Sequence, residues 1–110
     1  MRKILIANRG EIALRIIKTC REMEIETIAI YSDADKDLPF VKEATYAFHI
    51  GEPPVSKSYL KTDAILEIAK REKADGIHPG YGFLSENAGF ARAVIDAGIA
   101  FIGPDPETIE

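Results

Sequence analysis

His78-Pro79-Gly80-Tyr81-Gly82-Phe83-Leu84-Ser85-Glu86-Asn87 is the stretch whose reading decides the fold. It has no apolar period, and Pro79, Gly80 and Gly82 punctuate it, so it reads as a loop. The apolar segment before it ends at Ile77. After it, Ser85 reads as an N-cap, with Glu86 in the first turn of a helix. Open α/β sheets place their chemistry at such strand-to-helix connections. Two glycines let backbone approach a ligand closely, with Tyr81 exposed between them; equally, they permit nothing more than a sharp turn. The residues of the loop alone leave both readings open.

The same alternation extends in both directions. Ala74 to His78 is a strand leading into the loop. A helix from Glu86 to Ala97 leaves it, with Phe90, Ala91, Val94 and Ile95 inward, Gly98 at C′ and a strand over Ile99 to Ile102. At the start of the chain, Lys3 to Asn8 is a buried strand and Arg9-Gly10 a turn. Glu11 to Met23 is a helix with an apolar stripe at Ala13, Ile16, Ile17, Cys20 and Met23. Glu11 with Arg15, and Lys18 with Glu22, form i, i+4 pairs on its wet face. Glu26 to Tyr31 and Tyr46 to Ile50 are further strands, with a short helix near Phe40 to Ala44 between them. Asp33, Asp35 and Asp37 suggest a calcium loop, but the glycine and glutamate such a loop needs are missing, so they are expected to form a turn and cap the short helix. A loop from Gly51 to Ser58 precedes a helix capped by Thr62 or Asp63 and running to about Arg71, with Ile65, Leu66, Ile68 and Ala69 buried. Asp105-Pro106-Glu107 opens one more helix with only Thr108, Ile109 and Glu110 left to build it. The expectation is a chain cut from a longer protein.

Five strands alternating with helices imply an α/β, Rossmann-like, doubly wound and mostly parallel five-stranded sheet. With the first and fourth strands as neighbours, and strands two and three beyond the first, a topological switch point lies between them. Two loops then meet at one crevice: Asn8-Arg9-Gly10-Glu11 and the glycine-tyrosine loop with Gly80. There Arg9 can meet a phosphate or carboxylate, or pair with Glu11 or Glu86 and hold the crevice shut. The helix after Gly10 offers backbone N–H groups to an anion. A dinucleotide domain ranks low. One glycine, not Gly-x-Gly-x-x-Gly, separates the first strand and helix, and no phosphate-loop motif is present.

Composition is ordinary and globular, 46% hydrophobic and 29% charged over 110 residues, as expected of one domain. A net charge of −4 gives no general attraction to nucleic acid or to an anionic membrane. No apolar run approaches the ~20 residues of a membrane span. Asn8, Arg9 and Glu11 interrupt the first apolar run too early for a signal peptide, so a cytoplasmic protein is expected. The single cysteine, Cys20, reads as a packed core thiol, and His49 and His78 lack metal-ligand spacing.

Ile6 to Ala13, His78 to Asn87 and Phe101-Ile102-Gly103-Pro104 together resemble biotin carboxylase, the ATP-dependent component of acetyl-CoA, pyruvate, propionyl-CoA and related carboxylases. The resemblance runs in register along essentially the whole chain. It implies that residues 1–110 are the N-terminal, pre-ATP-grasp domain, with the ATP-grasp and C-terminal domains absent. The full enzyme would use ATP, Mg2+ and bicarbonate to carboxylate carrier-linked biotin. None of its catalytic or metal-binding groups would lie in this chain, which alone would bind no cofactor and be inactive. The implied partners are its own ATP-grasp domains, a biotin carboxyl carrier, a carboxyltransferase component and a second copy in a homodimer. Tyr81, Gly82 and Glu86 would lie on the biotin side of the active site, and the first helix, through Lys18 and Glu22, at the dimer contact. Two departures stand out. Phe40, Thr45 and Tyr46 replace a common family pattern, and Glu24 replaces the usual glycine after the first helix. The alternative is a stand-alone Rossmann-like binding or interaction module.

Overall fold

The computed structural model describes residues 1–103, and residues 104–110, including the helix opening expected at 105–107, lie outside that range. The strands are β1 (Lys3–Ile6), β2 (Glu26–Ser32), β3 (Tyr46–Gly51), β4 (Gly76–His78) and β5 (Ala100–Phe101). The helices are α1 (Gly10–Glu22), α2 (Pro39–Glu43), α3 (Thr62–Arg71) and α4 (Ala88–Asp96). The sheet order is β3-β2-β1-β4-β5 and every pairing is parallel, as the alternation of elements requires. No helix among the described residues is long and apolar enough to cross a membrane.

Alternation along β1 builds both halves of the core. Leu5 and Ala7 pack on one face with Ile28, Ile30, Ile65, Ile77 and Val94. Ile4 and Ile6 pack on the other with Ala13, Ile17, Cys20, Ala29 and Phe40. A central strand covered on both faces favours a continuous apolar run, here Ile4 to Ala7. Cys20 is a buried free thiol whose pKa burial pushes up, as a packing residue requires. Asp75 fastens the opposite rim: its Oδ2 accepts from the amides of Arg2 (2.8 Å) and Lys3 (3.0 Å), joining the starts of β1 and β4.

Several local expectations shift. The N-cap of α4 is Asn87, not Ser85, and its Oδ1 accepts from the Phe90 amide at 2.9 Å. Two successive turns, Ser85 N–H to the Gly82 carbonyl and Asn87 N–H to that of Leu84, carry the chain past Ser85 and Glu86 before the helix opens. α3 opens at Thr62 behind Lys61, with no side-chain cap. Met23 and Ile95 are exposed rather than inward. Met23 lies beyond the last residue of α1, and Ile95 is turned ~100° from buried Val94. The i, i+4 pairs Glu11–Arg15 and Lys18–Glu22 do not close among the described residues; Arg21 instead reaches Glu43 on α2 at 3.1 Å.

The departures near β2 and β3 have local reasons. Thr27 and Thr45 exchange bonds, each hydroxyl accepting the other's amide (3.0 and 3.2 Å). Tyr46 lies under the Lys3 ammonium and donates its hydroxyl proton to Glu26 at 3.3 Å.

Three helices stop by one device. At the ends of α1, α3 and α4 the next two amides reach back to the last turn: Glu24 and Ile25, Lys73 and Ala74, Gly98 and Ile99. The first residue of each pair is left-handed, with φ of 60°, 57° and 80°. Glycine fills that place only after α4, where it was expected. A side chain there costs about 1–2 kcal/mol, partly offset because glycine loses about 0.5–1 kcal/mol more on folding. Glu24→Gly is therefore expected to raise stability by about 0.5–1 kcal/mol, read as a higher urea midpoint at unchanged slope.

Candidate functional site

The ends of β1 and β4 abut, and the last rung between them runs from the Ala7 amide to the His78 carbonyl at 2.9 Å. Beyond that rung the backbones separate and Asn8 fills the gap. Its side chain is buried, with the residue 2% exposed. Nδ2 donates to the carbonyls of Pro79 and Tyr81, both at 2.8 Å, and Oδ1 accepts from the Arg9 amide at 2.8 Å. Two donors and one acceptor on so short a stem are found only in asparagine: aspartate has no proton to give and glutamine reaches farther.

Gly80 sits between the two carbonyls that Asn8 holds. Its φ is +67°, and a Cβ there would stand 2.6 Å from Asn8 Nδ2 and 2.9 Å from the Ile12 side chain. The Gly80 amide donates to His78 Nδ1 at 3.1 Å. Burial lowers the His78 pKa, which keeps the ring neutral and Nδ1 able to accept. With its backbone fixed, the loop presents the next residues outward. Tyr81 is 78% exposed, and nothing lies within 4 Å of where a Gly82 Cβ would stand. Glu86 is exposed on the turn before α4.

Arg9 takes neither partner expected for it. Its Nε and Nη2 hold the two oxygens of Asp35 at 2.6 and 2.8 Å. Asp35 stands in a single helical turn after β2 (Asp33–Asp35), so the acidic run does form a turn, but it does not cap α2, which opens behind Leu38 with no side-chain cap. The Arg9 hydrogen bonds hold the buried Asp35 carboxyl below its usual range, and the pair holds the guanidinium proton more tightly. Tyr59 completes the cluster: its hydroxyl donates to Asp35 Oδ2 at 2.6 Å and accepts from the Ser32 amide at 3.1 Å. Burial first, and then the Asp35 bond, push the Tyr59 pKa up to about 12. Ser32 is free for this contact because the pairing of β2 with β3 shifts register between Tyr31 and Ser32.

The structure thus brings Arg9, Gly10 and Gly80 to the carboxyl ends of β1 and β4, with Tyr81, Gly82 and Glu86 on the open side of the same loop. Lys18 and Glu22 lie apart on the exposed face of α1, where Lys18 borders a groove with Leu14, Asp37, Pro39 and Lys42. Of the further residues that build the site, sequence reasoning set Asn8 in the crevice loop without a role, read Asp35 only as part of an acidic turn, and missed Tyr59. A polar residue ending a buried strand was the available signal for Asn8. Nothing local marks Tyr59, whose partner lies 24 residues away. Among the described residues, no group of three or more metal-binding side chains converges.

The family profile of the biotin carboxylase N-terminal domain matches residues 1–109. Over 109 residues the chain is 65% identical to a biotin carboxylase of Halalkalibacterium halodurans, covering 99% of this chain and 24% of that one. It is 54% identical to the human mitochondrial propionyl-CoA carboxylase alpha chain, covering 98% of this chain and 15% of that one. Among solved structures it superposes with a TM-score of 0.94, at 46% identity, on the biotin carboxylase domain dimer of Hydrogenobacter thermophilus 2-oxoglutarate carboxylase, a complex with MgADP, ADP and bicarbonate. That match covers 98% of this chain and 24% of the other. The chain spans about a quarter of the length of the biotin carboxylases it matches.

The two loop glycines separate by what surrounds them. Gly82→Ala meets only the left-handed backbone and is expected to cost about 1 kcal/mol, whereas Gly80→Ala must also displace buried Asn8 and is expected to cost about 3 kcal/mol. Urea unfolding of the two variants checks the order.

Proposed function

We propose, from the premise that this chain belongs to the biotin carboxylase N-terminal domain family, that it forms the first part of an ATP-dependent ligase that carboxylates biotin. In this reading ATP, Mg2+ and bicarbonate supply an activated carboxyl group, and the ureido nitrogen of carrier-linked biotin accepts it. The chain's own contribution is a surface. Tyr81 and Gly82 border the biotin side, with Glu86 making a polar contact to the domain that follows. The observation that carries the reading is the family match over residues 1–109. It is supported by Tyr81 standing exposed on a loop whose backbone Asn8 fixes. An aromatic face on a rigid backbone can pack against a fused-ring ligand at low entropic cost.

The proposed partners are ATP-grasp domains, a biotin carboxyl carrier, a carboxyltransferase component and a second copy contacted through α1 near Lys18 and Glu22. The proposed setting is the cytoplasm. No acyl-CoA or keto acid is assigned, since acceptor choice belongs to the carboxyltransferase.

The test is a chimera in which this chain replaces the matching segment of the Halalkalibacterium halodurans enzyme. Biotin- and bicarbonate-dependent ADP formation is expected within about tenfold of the parent, and none from the 110-residue chain alone. In the chimera, Tyr81→Ala is expected to raise the KM for free biotin about tenfold, with the KM for ATP within twofold. A folded chimera without biotin-dependent turnover contradicts the proposal, and equal rises in both KM values remove Tyr81 from the biotin side.

A further inference from the structure

Phe83 is the one described residue of the glycine-tyrosine loop outside glycine to hold a left-handed backbone, at φ 44°. An aromatic side chain persists there only when its surroundings hold it. What holds it is Tyr59: the two rings are stacked, with centroids 5.7 Å apart and planes inclined by 8°. Tyr59 is itself immobilised, being 1% exposed and bound through its hydroxyl to Asp35 and to the Ser32 amide. Asp35 grips Arg9, and Arg9 follows Asn8, which holds the Tyr81 carbonyl. The contacts close a ring: Asn8, Arg9, Asp35, Tyr59, Phe83 and back to Tyr81. It gathers the ends of β1 and β2, the segment before α3 and the loop after β4.

We infer that Tyr59 is a positioning residue for the surface of Tyr81 and Gly82, acting through its ring on Phe83. The inference rests on the biotin-carboxylase reading of that surface. Asn8 fixes the loop on the side of Tyr81 that precedes Gly82, and Tyr59 fixes it on the side that follows. Gly82 therefore lies between two anchors two residues apart, the Tyr81 carbonyl and Phe83, and the exposed Tyr81 ring inherits their rigidity. The division of labour within Tyr59 is specific. Its ring positions the loop, and its hydroxyl seats the ring against Asp35 and Ser32.

Tyr59→Leu removes the ring, Tyr59→Phe keeps it, and Phe83→Leu breaks the stack from the loop side while leaving the Asp35 cluster intact. In the chimera described above, Tyr59→Leu and Phe83→Leu are expected to raise the KM for free biotin about fivefold, with the KM for ATP within twofold. Tyr59→Phe is expected to restore the biotin KM to within twofold. In the 110-residue chain, exchange of the hydrogen-bonded loop amides of Ser85 and Asn87 is expected to quicken about tenfold in the two leucine variants, with β1 unchanged. An unchanged biotin KM and unchanged loop exchange in Phe83→Leu overturn the inference, as do equal rises in both KM values. A chimera that never responds to biotin ends the functional reading instead, and the exchange experiment then decides the positioning role alone. Should Tyr59→Leu not fold, Phe83→Leu carries both readouts.

Discussion

One carboxamide joins the two halves of the candidate site. Parallel strands that end side by side leave their last carbonyls and amides without ladder partners, and a buried polar group without a partner costs about 1–3 kcal/mol. Asn8 resolves this at the ends of β1 and β4 by donating to two carbonyls of the loop and accepting from its own chain. The loop is thereby shaped from below, by the sheet, so its upper surface is left for Tyr81 and Gly82. The requirement for glycine at position 80 follows from the same bond, because any Cβ would enter the space of the Asn8 side chain.

Charge is used here for fixing rather than for binding. Arg9, next to Asn8 in the crevice, is committed to Asp35 through two hydrogen bonds and is not spare for an anionic ligand. A buried carboxylate is tolerable only with such compensation, and Asp35 receives it from Arg9 and from the Tyr59 hydroxyl. The cluster adds order more than affinity. It places the Tyr59 ring where Phe83 can stack on it, and so extends the rigidity of the sheet into the loop.

The strand order, the two-sided core and the meeting of the β1 and β4 loops were legible because each rests on local periodicity. Ile4 to Ala7 and Ile28 to Tyr31 carry the unbroken apolar runs of covered strands, and Gly98 marks a helix stop. The exposure of Tyr81 was legible from its neighbours, since adjacent glycines leave little to cover it. What was not legible depends on pairs far apart in sequence. The true partner of Arg9 sits 26 residues away, and the local candidates Glu11 and Glu86 were plausible only by proximity. The N-cap of α4 moved from Ser85 to Asn87 because two turns intervene, and turns of that kind carry no period to read. Glu24 and Lys73 show the converse: the backbone demanded a left-handed residue, and the sequence supplied one without the usual glycine.

Asn8→Asp tests the central claim most directly, since it keeps the shape of the side chain and replaces its donor with an acceptor facing two carbonyls. Residue-resolved amide hydrogen exchange on the folded chain is the measurement. The account predicts that exchange at Gly80 and Ser85, whose amides are hydrogen-bonded within the loop, rises at least about tenfold while the Leu5 and Ile28 amides of the sheet stay protected. Loop exchange unchanged from the parent chain would contradict it.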